Sequence, residues 1–269
     1  MKKIQIAVLA LFACSVAIFA VFSVKDFIGD KNQPPVISCE QDTVEVPVAA
    51  TQEQLCAGLT ATDPEDGDVT GQIMVTNISN FVAERTCNIS YAVFDSNEQL
   101  GEFTRKVVYT DYTSPQFSIS EPLEIRMGGE VEILDKLEAK DVIDGDISNR
   151  ILILNSDVNT ETPGKYDVTV QVSNSRGDVA ELVLPVAVRD YSVNAPDIVL
   201  TQTLVYLKKG ETFDPQNYLD TEETQVSASA VHVNSDVDTA QAGTYTVTYT
   251  AGDASGHTGT AYLTAVVEG

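Results

Sequence analysis

A chain of 269 residues with 43% apolar content can bury ordinary globular cores, so its composition excludes a disordered polymer. Its 40 acidic against 16 basic residues give a net charge of -24, a surface that repels nucleic acid and anionic lipid and attracts cations and basic partners. There is no Trp to make a sugar-stacking platform, which leaves ten tyrosines for that task.

The chain opens with Lys2 and Lys3 ahead of an apolar run from Ile4 to Val24. A run of about 20 residues is long enough, at about 1.5 Å per residue, to cross the hydrocarbon core of a bilayer. The flanking lysines orient it with the short N-terminal end inside and the long remainder outside. Two alternatives share that outcome. Ser15-Val16-Ala17 offers a signal-cleavage site, and Leu11-Phe12-Ala13-Cys14 offers a lipoprotein signal, but apolar residues continue past both. Residues 1–33 are therefore expected to be a cytoplasmic stub, a transmembrane signal-anchor and a tether ending at Pro34-Pro35.

Beyond the tether the chain repeats a unit of roughly 80 residues three times. Val36–Ser38 and Thr43–Val48 read as strands, and Leu55–Thr62 leads into the turn Asp63-Pro64-Glu65-Asp66-Gly67-Asp68. Strands at Gln72–Thr76, Thr86–Asp95 and Phe103–Tyr109 complete the first unit. The second repeats the order with Gln116–Ile119, Leu123–Arg126, Val131–Ala139, the turn Asp141–Asp146 and Ile151–Leu154. It closes with the hairpin GKYDVTVQVSNSRG (Gly164–Gly177) and Val179–Val188. The third keeps Ile198–Leu200, Leu204–Leu207 and Val231–Val233, but its turn reads Asp220-Thr221-Glu222-Glu223, without the glycine. Its hairpin is the clearest: in GTYTVTYTAGDASG (Gly243–Gly256), Tyr245, Val247 and Tyr249 alternate with threonines, and Ala261–Val267 alternates again. A period of two marks half-buried antiparallel strands. Many short strands with turns at this spacing predict an all-β chain of three tandem β-sandwiches at 34–112, 113–191 and 192–269, joined by short linkers that end in proline.

The run ATDPEDGDVT (Ala61–Thr70), followed by a G-x-Y-x-V-x-Y strand and a D-x-x-G turn, resembles the bacterial Ig-like domains of insecticidal crystal proteins and Gram-positive surface proteins. KDVIDGDIS (Lys140–Ser148) repeats the motif. The resemblance implies Ig-like sandwiches serving as spacers, adhesive modules or appendages of enzymes, and it implies no catalytic residues.

Candidate chemistry is sparse. In a sandwich of this strand order Cys56 and Cys87 are expected at one end, close enough for a disulfide outside the cytoplasm, with Cys39 at the other. A Cys39–Cys87 bond and free thiols remain open. His232 and His257 stand alone, with no zinc-ligand spacing and no cysteine beside them in sequence. The acids are more suggestive. Asp111, Asp144, Asp146 and Asp178 are expected to gather at one joint, and Asp190, Asp220, Glu222 and Asp253 at the next, where calcium could bind. The bland reading makes them turn residues facing water. The expected function is a non-catalytic, single-pass cell-surface protein, a stalk, spacer or adhesive array with its C-terminal part extracellular. Its partner would be a protein or surface polymer, with no nucleic acid and no obligatory cofactor. The alternative is a carbohydrate- or wall-polymer-binding module that localises an enzyme, for which Tyr206 and Tyr218 should line an exposed groove.

Overall fold

The computed structural model describes residues 12–20 and 33–269. Residues 12–20 are helical, and no helix among the described residues is long and apolar enough to cross a membrane. The rest of the apolar run at 4–24 lies outside the described residues. Beyond it the chain forms two compact units, one closing at Thr110 and the other running from Asp111 to Gly269.

The first unit is one sandwich. Its strands are β1 (Val36–Cys39), β2 (Thr43–Val46), β3 (Leu59–Asp63), β4 (Gly67–Asp68), β5 (Met74–Ala83), β6 (Thr86–Phe94) and β7 (Leu100–Tyr109). They make a three-stranded sheet, β1-β3-β4, and a four-stranded sheet, β2-β7-β6-β5, in which β2 runs parallel to β7. Alternation drives the burial. Ile89, Tyr91 and Val93 turn inward from β6, and Leu59 and Ala61 turn inward from β3. Leu55, expected at the start of a strand, instead ends a one-turn helix, Gln52–Leu55. Thr51 and Gln54 cap that helix reciprocally, satisfying backbone N–H groups at its start.

The second unit holds two sandwiches. The first uses β8 (Gln116–Ile119), β9 (Glu124–Arg126), β10 (Leu137–Asp141), β11 (Gly145–Asp146), β12 (Leu152–Ser156), β13 (Gly164–Ser173) and β14 (Val179–Arg189), ordered β11-β10-β8 and β12-β13-β14-β9. The topology matches the first unit strand for strand, including the parallel edge pair, here β9 on β14. The expected strand from Val131 begins only at Leu137, because 131–136 form a loop and a 3-10 turn that bury Ile133 alone. The last sandwich has β15 (Leu204–Leu207), β16 (His232–Asn234), β17 (Gly243–Gly252) and β18 (Thr258–Val267) in one sheet, ordered β15-β18-β17-β16. Its opposite layer is reduced to a single bridge between Leu200 and Leu219. Ile198–Leu200 is therefore not a full strand.

Both intact turns close with a glycine at positive φ, Gly67 at 75° and Gly145 at 73°, a conformation that penalises any side chain. The third turn lacks this glycine and closes differently, with the Thr224 N–H donating to the Asp220 carbonyl at 3.1 Å. One latch recurs in the first two modules, where a hydroxyl after the turn accepts the N–H of the strand leading into it: Thr70 from Ala61 at 2.9 Å and Ser148 from Ala139 at 3.0 Å. In the third, Thr224 accepts instead from Val199 on the opening segment, at 3.1 Å.

Candidate functional site

Two places collect the polar side chains that the repeat places together: the paired turns at the end of each sandwich, and the joint inside the second unit. In the second sandwich, Asp141 Oδ1 accepts the N–H groups of Ile143 and Asp144 at 2.8 and 2.9 Å. In the hairpin turn opposite, Asn174 Oδ1 accepts those of Arg176 and Asp178 at 2.9 and 3.0 Å. Asn174 Nδ2 then donates to Asp141 Oδ2 at 3.0 Å and to the Tyr112 oxygen at 2.8 Å, and Tyr112 donates to Asp178 Oδ2 at 2.6 Å. Burial, reinforced by Asp178, pushes the Tyr112 phenol far above its ordinary range, so it stays a donor.

Asp144 pins the two turns together. It accepts the N–H and hydroxyl of Ser175 at 2.6 and 2.7 Å, and Arg150 approaches its Oδ2 at 2.6 Å. Burial works to raise this carboxyl, but the Ser175 and Arg150 bonds outweigh it and hold the group below the usual carboxylate range. The same pin recurs in the first sandwich, where Asp66 accepts the N–H and hydroxyl of Ser96 at 2.5 and 2.8 Å. The third sandwich does not repeat it, since Ala254 stands where the serine would be.

The carboxylates expected to gather around calcium have these local duties. Asp146 accepts from Ser148, Asp190 from Ser192, and Asp220 from the N–H groups of Glu222 and Glu223. Asp253 accepts from Ser255 and His257 N–H groups, and its Oδ2 meets His257 Nδ1 at 3.0 Å. Asp111 and Glu222 are exposed. The structure brings Asp144 and Asp178 to one end of their sandwich, through Ser175 and Tyr112. Among the described residues, however, no three His, Cys, Asp or Glu side chains form a group arranged to hold a metal.

The cysteines depart from the expected pairing. Cys39, Cys56 and Cys87 are thiols, and the Cys56–Cys87 bond is not made. Cys39 ends β1 opposite Leu59, so it sits at the Cys56 end of the module and not at the far one. The reason is direction: β1 runs antiparallel to β3, and its last residue meets the residue at which β3 begins. Cys87 is fully buried in β6 between Phe81 and Val107. Arg105, itself only 4% exposed, occupies the space beside Cys39. It reaches Cys39 Sγ at 3.2 Å, Tyr91 Oη at 3.0 Å and the carbonyls of Leu55 and Ala57 at 2.9 and 2.8 Å. Burial raises the Cys56 thiol, with Arg105 acting against it.

The two tyrosines expected to mark a sugar groove are committed elsewhere. Tyr218 packs on Phe213, ring centres 5.6 Å apart, against the third core. Tyr206 faces the second sandwich: its oxygen accepts the Phe117 N–H at 2.8 Å, and burial pushes its phenol up to about 12. It belongs to the second site, the packed joint. There Leu204 and Val266 lie against the core of the second sandwich, and Gln116 Nε2 donates to Glu268 at 2.6 Å.

On the other side of the joint, Arg189 binds Glu124 at 2.6 Å, Asp197 at 2.7 Å and the Thr260 carbonyl at 2.8 Å. Burial raises the Glu124 carboxyl, and Arg189 opposes the rise. Arg126 lies over the Tyr191 ring at 5.1 Å. A cleft of about 530 Å³ runs beside these residues, along the linker 190–197. Sequence reasoning missed Arg189. Its only signal is a basic residue at the end of a long buried strand, directly before the linker, in a chain short of basic residues.

Comparison with known proteins places part of this architecture. Residues 199–265 match the family model described as "Bacterial surface protein, Ig-like domain". An uncharacterized 81.3 kDa protein of Acholeplasma phage L2 is 32% identical over 210 residues, covering 76% of this chain and 26% of that protein. The pesticidal crystal protein Cry22Aa of Bacillus thuringiensis is 31% identical over 149 residues, covering 53% of this chain and 20% of its own length. The chain thus spans about a quarter or less of these relatives. The Drosophila N-cadherin EC1-3 structure aligns with 71% of this chain and 80% of its own, at 12% identity and a TM-score of 0.29, a likeness too low to argue from. Through residues 199–265, this chain carries the Ig-like domain of bacterial surface proteins.

Proposed function

We propose that this chain is a non-catalytic, membrane-anchored surface protein whose Ig-like modules form a stalk, spacer or adhesive array outside the cell. The observation that carries the reading is the packed joint of the second unit. Arg189 ties β14 to Glu124, Asp197 and the Thr260 carbonyl, while Tyr206 and Gln116 close the other side. A protein that only needed to tether a partner would be served by a flexible linker. Desolvating charges to fix one module against the next is costly, and the cost is offset where direction and reach matter. The anchor rests on the lysine-flanked apolar run at the N-terminus, and the extracellular side on the position of those lysines. The acidic surface suits a partner that is a basic protein or a cation-bearing surface polymer and disfavours nucleic acid.

The test is protease added to intact cells that make the chain with a C-terminal epitope. The epitope should be lost, and a membrane fragment ending near Lys31 should remain. Full-length material in the culture medium, or an epitope protected until the cells are lysed, would refute the anchored reading.

A further inference from the structure

We propose that the first sandwich holds a divalent cation of the calcium type between the buried carboxylates of Asp63 and Asp95. The two residues are 5% and 7% exposed. Each spends one oxygen on its own turn. Asp63 Oδ1 accepts the N–H groups of Glu65 and Asp66 at 2.9 and 2.8 Å, and Asp95 Oδ1 accepts those of Asn97 and Gln99 at 2.9 and 2.7 Å. The other oxygen of each, Oδ2, is buried and has no hydrogen-bond partner among the described residues.

The second sandwich shows where those oxygens point. Asp141 and Asn174 occupy the same positions, bond their turns in the same way, and there the remaining atoms meet as Nδ2 and Oδ2 at 3.0 Å. The two turns are pinned alike in both sandwiches, by Asp66 on Ser96 and by Asp144 on Ser175. With Asp95 in place of the amide, an acceptor faces an acceptor. The third sandwich places Asp220 and Asp253 at these positions, but both are partly exposed, and His257 Nδ1 lies 3.0 Å from Asp253 Oδ2. Among the described residues, only the first sandwich has two buried carboxylate oxygens here without a donor.

Two desolvated like charges that share a site are costly, and a cation between them removes both the repulsion and the unmet acceptors. Oxygen-only ligands select a hard cation. Asp66 and Ser96 at the mouth of the turns are exposed, so water can complete the shell of calcium, whose flexible geometry tolerates such a mixed set. None of the eight acids expected at the joints takes part.

The experiment uses the full chain, stripped with EDTA and titrated with calcium chloride by isothermal titration calorimetry at neutral pH. The expected result is one binding event with a Kd of about 10⁻⁴ to 10⁻³ M, the range of extracellular calcium modules. Calcium should also raise the thermal midpoint. Asp95→Asn should abolish the isotherm and, in EDTA, melt above the wild-type chain, because its amide restores the bond that Asn174 makes. Asp63→Asn should lose binding too. A calcium response that survives in both variants overturns the site. So does the absence of any response to calcium or magnesium in the wild-type chain.

Discussion

Replacing Arg189 with Ala tests the joint directly. The wild-type Arg189 side chain is 19% exposed and faces those of Glu124 at 23% and Asp197 at 49%. Its contact with half-exposed Asp197 is screened by water and contributes at most about 1 kcal/mol. The bond to Glu124 is a different case. A charged hydrogen bond in a largely buried setting contributes about 1.5–3 kcal/mol, and its loss leaves Glu124 without its cation. The Thr260 carbonyl also loses its donor, at a cost of about 1 kcal/mol. Taken together, and discounted for relaxation and water entry, the variant should lose about 3 kcal/mol. Arg189→Lys should fall between, since one ammonium cannot span two carboxylates and a carbonyl as a planar fork does.

The assay is chemical denaturation followed by far-ultraviolet circular dichroism, paired with chymotrypsin cleavage after Tyr191 in the linker. The Ala variant should unfold at lower denaturant and be cut at Tyr191 faster than wild type, because ring and linker are released once β14 no longer holds Asp197. Raising the salt should shrink the Asp197 share and leave the Glu124 share nearly intact. If the variant loses less than about 0.5 kcal/mol and its linker is cut at the wild-type rate, the joint is not held by this residue and the argument for a fixed spacer loses its support.

Three further outcomes follow from the geometry. Gly259→Ala should destabilise the third sandwich by about 2 kcal/mol in denaturant melts, because the new Cβ would stand 1.8 Å from the Pro196 carbonyl oxygen, which is backbone and cannot step aside. Among the sandwich cysteines, alkylation with iodoacetamide at pH 8, mapped by peptide mass, should modify half-exposed Cys39 first and Cys56 more slowly, since burial holds the Cys56 thiol above its usual range. Cys87 should react only on unfolding. Asp144→Asn should cost about 1–2 kcal/mol at pH 7. Because the folded-state value of Asp144 is depressed, its contribution is present above the unfolded carboxylate range and fades as the pH falls through the folded value. The gap between wild type and variant should therefore close in acid, below about pH 4, when both are followed by urea titration.

The terminal hairpins were legible because one physical signal dominates them. In Gly243–Gly252 the inward Val247, Tyr249 and Ala251 are buried while alternate threonines face out, and a period of two has no other explanation. Turns with glycine were legible for the same kind of reason, since Gly67 and Gly145 sit where a side chain would be strained. The helix at Gln52–Leu55 was missed although its signal was present: Thr51 and Gln54 form a capping box, whereas Leu55 taken alone reads as strand. Residues 131–136 were misread because Val131, Ile133 and Leu134 mimic alternation while only Ile133 is buried. Pairwise chemistry across the fold was the least legible. Nothing local ties Arg105 to Cys39, 66 residues away, or Tyr112 to Asp178, also 66 away, and those contacts depend on which strands become neighbours.

The same distinction bears on how the chain meets its surroundings. Basic residues are scarce, and several are drawn inward or into ion pairs: Arg105 on carbonyls and Tyr91, Arg189 on Glu124 and Asp197, and Arg150 on Asp144. A paired guanidinium and carboxylate cancel locally, so the outer field is set by the acids left over, in keeping with the net charge of -24. Many acids meanwhile have their oxygens turned back onto their own turns, as Asp141, Asp190 and Asp220 do. An oxygen committed to a backbone N–H still repels other anions at a distance, yet it offers less to a cation that must coordinate it. The chain therefore presents a long-range negative field in which part of its carboxylate oxygens is already committed to backbone N–H groups. Such a surface slows self-association, in keeping with the proposed spacer role. Among the described residues, Asp63 and Asp95 are the two buried acids that each keep one oxygen without a hydrogen-bond partner.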